Sequence, residues 1–138
     1  DWLTLSAAYT ESAADPLKQQ GTLGLYANSE FLPFTDDEPG LSGWRETLTD
    51  ADVPLTSLSM GGYVSAEILV EVLRGIDGDI TRESVAQAFR DLDEIEHPLL
   101  GMPFTFGEAE AHTPNRASRM VQATAEGWRT VSDWVIAP

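Results

Sequence analysis

Residues 101–135 read GMPFTFGEAEAHTPNRASRMVQATAEGWRTVSDWV. Phe104 and Phe106 alternate in an apolar run that predicts a strand, and a polar turn carrying His112 and Asn115 follows it. Met120–Ala125 and Trp128–Val135 then predict a hairpin around Glu126-Gly127. Just upstream, residues 61–76 (GGYVSAEILVEVLRGI) carry Ala66, Leu69, Leu73 and Ile76 at three- and four-residue spacing. Val64, Ile68 and Val72 fill an adjacent stripe, and Glu67, Glu71 and Arg74 take the remaining face, so this is a helix with a wide apolar side. Gly75 and Gly78 end it. A second helix is expected in residues 81–95 (TRESVAQAFRDLDEI). Thr81 is its N-cap, Glu83 lies in the first turn, and Val85, Ala88, Phe89 and Leu92 make one face.

Towards the amino terminus the period changes. Trp2–Tyr9 (WLTLSAAY) predicts a buried strand, Thr10–Gln20 a loop, and Thr22–Ser29 (TLGLYANS) a second strand with Leu23, Leu25 and Ala27 alternating. Glu30–Gly40 (EFLPFTDDEPG) holds two prolines and an acidic run, and predicts an extended crossing segment without regular structure. Leu41–Leu48 (LSGWRETL) reads as a short helix or the tail of a longer one. The sum is an α/β chain with strands at both ends and helices in the middle, and no internal repeat.

Bulk properties narrow the partners. The chain has 138 residues and a net charge of −15, with Lys18 its only lysine. Its arginines are scattered apart from Arg116 and Arg119, so nucleic acid and anionic lipid surfaces are excluded as partners, since phosphate binding needs clustered cations. There is no cysteine, hence no disulfide and no thiolate metal site. The apolar run Tyr63–Leu73 is interrupted by Glu67 and Glu71 and falls short of the ~20 residues that span a bilayer. The chain opens on Asp1 with neither an initiator Met nor a signal-peptide pattern, and reads as a piece of something larger.

Residues 57–62 (SLSMGG) are similar to the nucleophile elbow of α/β-hydrolases, with Ser59 as nucleophile, Asp77 or Asp79 as acid and His97 or His112 as base. Ser57 replaces the first glycine of that motif, however, and a helix start with Ser59 near the N-cap explains the same residues. Glu108, Glu110 and His112 lack a second histidine and read as a solvated turn rather than a metal site. His97, before Pro98, reads as a surface residue. Asp36-Asp37-Glu38 and Asp91, Asp93 and Glu94 read as wet faces. Of the four tryptophans, Trp2, Trp128 and Trp134 are expected in the core and Trp44 is the one expected at the surface. No catalytic residue, metal ligand or cofactor is assigned.

The order of these elements resembles the carboxy-terminal half of a type I periplasmic binding protein of the branched-chain amino-acid (Leu/Ile/Val) kind. The resemblance covers nearly the whole chain, Trp2 to Val135, and rests on order and spacing. It implies a partial two-lobe Rossmann-like α/β fold, with residues 1–30 and 119–138 as second-lobe strands and 31–118 as hinge crossing and first-lobe helices. It also implies capture of a small polar or amino-acid-like solute by cleft closure, for a membrane permease of an ABC importer, or for a sensor ectodomain of the same fold. The location would be extracellular or periplasmic, with lipoprotein anchoring of the full-length protein. The loop after WLTLS maps the family's cleft positions onto Ser6, Ala7 and Ala8. None of these is acidic, and Glu11, the nearest carboxylate, needs a different loop path. Leu58, ahead of Tyr63, matches an apolar ligand contact, with Tyr9 and Phe31 as aromatic walls. The ligand-binding candidates are therefore Ser6, Ala8, Tyr9, Phe31 and Leu58. Uncovered helix faces at 64–76 and 85–92 imply self-association of the chain.

Overall fold

The structure, a computed structural model, describes residues 2–6, 9, 24–106 and 115–138. Strand β1 (Trp2–Thr4) pairs in parallel with β2 (Leu25–Ser29). Helices α1 (Ser42–Asp50), α2 (Ser57–Arg74) and α3 (Arg82–Arg90) follow, and β3 (Ala117–Thr124), β4 (Gly127–Thr130) and β5 (Val135–Ile136) close the chain. The sheet runs β1-β2-β3-β4, with β5 also on β3; every pairing except β1 with β2 is antiparallel. Among the described residues no helix is long and apolar enough to cross a membrane.

Beyond Trp2–Thr4 the first expected strand does not continue, since Ser6 and Tyr9 already close a turn through the Tyr9 N–H to the Ser6 carbonyl (2.9 Å). Loop 10–20 and Thr22-Leu23 lie outside the described residues, as do His112 and its neighbouring acids. Glu30–Gly40 crosses the molecule without regular structure until a single 3-10 turn at Pro39–Leu41. The expected strand at Phe104 and Phe106 is reduced to one isolated bridge, Ile95 to Phe104.

The carboxy-terminal hairpin forms, one residue earlier than expected. Ala125 and Glu126 make the turn, and Gly127 opens β4 with φ +124°, a backbone setting that favours glycine. From Thr130 to Val135 is five steps, while their partners Val121 and Ser118 are three apart. The two extra residues form a bulge that ends β4, and the Ser132 hydroxyl accepts the Met120 N–H there (2.8 Å). The bulge also takes Trp134 out of the ladder and lays it on Gly101, where any Cβ would collide with the ring.

Helix α2 is defined by its ends and one stripe. Thr56 caps it by accepting the Ser59 N–H (3.1 Å), and the Ser59 hydroxyl accepts the Thr56 N–H (2.9 Å) in return. Met60, Val64, Ile68 and Val72, four apart, are buried, whereas Ala66 and Leu69 of the neighbouring stripe face solvent. The first three join Leu41, Trp44 and Leu48 of the preceding segment, Leu32 and Phe34 of the crossing, and Ala27, Val121, Ala123 and Trp128 of the sheet in one cluster. Trp44, expected at the surface, is fully enclosed there, because α1 turns its Trp44 and Leu48 side inward.

Arg119 and Asp36 fix the crossing to the sheet. The guanidinium reaches Glu38 (2.8 Å) and Asp36 (3.4 Å) and lies 4.9 Å over the Trp134 ring, while the Thr130 hydroxyl donates to Asp36 (2.7 Å). Arg45 ties down the same stretch from α1 by donating to the carbonyls of Phe34 (2.8 Å) and Asp36 (2.6 Å).

Candidate ligand-facing surface

Three of the candidates meet at the first turns of α2. The Ser6 carbonyl, two residues past β1, accepts the Ser57 hydroxyl across 51 positions of sequence (2.9 Å). Leu58, the next residue, is 68% exposed, an unusual setting for a leucine in a helix whose other side is core. Phe31 lies over Gly61, where a Cβ would stand 3.4 Å from its ring. The helix backbone thus approaches the ring closely because Gly61 has no side chain. Ser29 holds the turn into the crossing by donating its hydroxyl to the Phe31 carbonyl (2.8 Å). The first two turns of α2 thus carry the exposed Leu58, the Ser6 carbonyl at Ser57 and the Phe31 ring at Gly61, a candidate apolar rim.

Tyr9 is not on that rim. Its side chain is fully buried, stacked on Phe34 at 4.3 Å and edge-on to Trp128 at 5.3 Å, with its hydroxyl 3.0 Å from Thr35 Oγ1. Burial pushes the Tyr9 hydroxyl up to about 12. It therefore presents no surface to a ligand from this chain. Ala8 lies outside the described residues.

Ser59 is committed elsewhere. Besides its role in the cap, its hydroxyl lies 2.7 Å from the Pro54 carbonyl and 3.0 Å from that of Thr56. A hydroxyl used up in holding a helix start is not exposed on a strained elbow, and residues 53–55, which lead into it, form no strand.

A concave region lies along the flank of α2, a groove of about 770 Å³ between Tyr63, Ala66, Glu67 and Val70 on the helix and Glu94 and His97 opposite. His97, expected at the surface, is buried here, its side chain 5% exposed. It stands 2.9 Å from Glu67, whose other oxygen accepts the Tyr63 hydroxyl (2.8 Å). Burial, and then the Glu67 carboxylate beside it, push the Tyr63 hydroxyl above its ordinary range. Tyr63 and Glu67 are four apart on a helix and so were legible as neighbours. Their meeting with a histidine 30 positions on has no local signature.

The family profile described as periplasmic binding protein matches residues 1–127. Two solved structures are similar. One is described as a possible leucine/isoleucine/valine-binding protein from Rhodopirellula baltica SH 1, 27% identical, with a TM-score of 0.76 over 94% of this chain and 35% of its own. The other is a branched chain amino acid ABC transporter from Thermus thermophilus with bound valine, 19% identical, with a TM-score of 0.79 over 98% of this chain and 39% of its own. The chain thus spans well under half the length of either structure. No relative with a curated function matches it. By the profile match over most of its length, and by an α/β fold of mixed sheet and capped helices, this chain belongs to the periplasmic binding protein family.

Proposed function

We propose that the protein carrying this chain captures a small amino-acid-like solute outside the cytoplasm, as the binding component of an ABC importer, and performs no chemistry on it. The observation that carries this reading is the 27% identity, over 94% of the chain, to a structure described as a possible leucine/isoleucine/valine-binding protein. A branched aliphatic side chain suits the rim of Leu58 and Phe31, where apolar contact excludes water, and the Ser6 carbonyl offers an acceptor for an ammonium group. Ala8, outside the described residues, joins the proposed ligand contacts on the family resemblance alone.

In this reading residues 1–30 and 119–138 contribute to one lobe, and 31–118 supply the crossing and the helices of the other. Ligand contacts made only when the lobes close stabilise the closed form, which a permease then recognises. The chain offers one wall of the cleft, and its exposed apolar residues favour self-association until the rest is present.

Valine titrated into the chain and followed by backbone amide NMR tests the proposal. Saturable shifts are expected at Ser6, Phe31 and residues 57–62, and Leu58→Asp is expected to abolish them. Absence of saturable shifts with valine, leucine and isoleucine at millimolar concentration would overturn it.

A further inference from the structure

The groove on α2 contains a connection that the family match does not address. Both ring nitrogens of His97 are engaged, each by a different part of the fold. The Leu99 N–H points at Nδ1 (3.2 Å), which leaves the ring hydrogen on Nε2, where it is donated to Glu67 (2.9 Å). The Leu99 carbonyl in turn accepts the Leu32 N–H (2.8 Å), and the turn is closed by the Leu100 N–H to the His97 carbonyl (3.0 Å). Leu99 and Leu32 are both buried. The same turn supports the far end of the crossing, where a Cβ on Gly40 would stand 3.0 Å from the Pro98 carbonyl. A continuous path therefore runs from Tyr63 and Glu67 on α2, through the imidazole and the 97–100 turn, to Leu32, the residue next to Phe31.

We propose that His97 is a positioning residue for solute binding: it joins α2 to the crossing segment through its two ring nitrogens and so sets where Phe31 stands on the rim. Burial alone does not require this arrangement. A packed histidine needs its polar atoms satisfied, and one element could supply both partners. Here one partner is a helix carboxylate and the other is the amide of the turn that carries the crossing. The binding part of this inference rests on the function proposed above; the connection itself does not.

Two substitutions divide the ring's two bonds. In His97→Asn the side-chain oxygen falls near the place of Nδ1 and still accepts from Leu99, but the side chain is too short for Glu67. In His97→Gln the amide reaches Glu67 and the Nδ1 acceptor is lost. Hydrogen exchange of the Leu32 and Leu99 amides is expected to quicken about tenfold in the Gln variant and to stay near the parent rate in the Asn variant, the scale of one hydrogen bond. Valine-induced shifts at Phe31 should follow the same division. Equal loosening in both variants, or parent-like exchange in the Gln variant, would overturn the proposal, because a merely structural histidine predicts no division. Should a variant not fold, nitrogen NMR of His97 in the parent decides: a hydrogen on Nδ1 rules out the Leu99 bond and the path with it. If valine shifts nothing in the parent while the exchange rates still divide, the solute reading fails and the connection stands.

Discussion

Tyr9 shows how a single side chain couples the core to pH. Its phenol is enclosed by Phe34 and Trp128, and its hydroxyl has Thr35 as partner. With the hydroxyl raised from 10.0 to about 12, the folded chain holds the proton more tightly than the unfolded chain does. Stability from this group is complete below pH 10.0 and is lost as pH rises through about 12. The loss is expected to reach about 2–3 kcal/mol across that window. Tyr63 moves in the same direction, through burial and then the Glu67 carboxylate. Tyr9→Phe should cost about 1 kcal/mol at neutral pH and flatten most of the alkaline loss, as read by denaturant unfolding at a series of pH values. An unchanged alkaline slope in this variant would refute the assignment. The sequence marked Tyr9 as an aromatic with something to hold, but an aromatic after a strand is equally suited to a wall or to a core. Only the stacking on Phe34, 25 positions away, separates the two.

Helix α2 was legible in its existence and its carboxy-terminal end, and less so in its start and orientation. Gly75 closes an apolar period that no strand would show, but the cap is Thr56, and Ser59, expected near the N-cap, is the third residue of the helix. Two stripes had nearly equal apolar content, however, and local sequence does not say which one meets α1 and the sheet. The fold buries Met60, Val64, Ile68 and Val72 and leaves Leu69 41% exposed. Ile68→Ala is therefore expected to cost about 2–4 kcal/mol, and Leu69→Ala under about 0.5 kcal/mol, in thermal or urea unfolding. Equal costs would mean that the helix is rotated about its axis from the orientation described. Trp44 was hidden for the same reason, since a nine-residue helix has too few turns to declare its inner side. The ligand rim shows where local reading stops. Leu58 and Phe31 are candidates only by matching a pattern of order, whereas the Ser6 to Ser57 bond that brings the end of the β1 segment to the helix spans 51 positions and leaves no periodic trace.

At the scale of the molecule, charge and apolar exposure oppose each other. A net charge of −15 keeps copies apart, while Leu3 in β1, the edge strand among the described residues, and Leu5 just after it stand 76% and 75% exposed, and Leu69 and Val70 add a second apolar area. Added salt screens the repulsion and leaves the apolar attraction. Light scattering is expected to show a mass at least twice the 15.0 kDa of one chain, increasing with salt, and the double substitution Leu3→Asp with Leu5→Asp should return it to one chain. A single-chain mass at every salt concentration would contradict the expected self-association.

The pairing at the centre of the sheet has a further consequence, in time rather than in space. Tyr26 and Gln122 face each other on β2 and β3 and are 96 positions apart, and all three helices lie between them. Capped helices form from local contacts, whereas this ladder must close a loop of most of the chain before any of its hydrogen bonds form. During synthesis β1 and β2 emerge well before β3, with all three helices still to come between them. Their apolar residues spend that interval without the partner that buries Ala27 against Val121, so β2 stays open to pairing with other chains until β3 arrives.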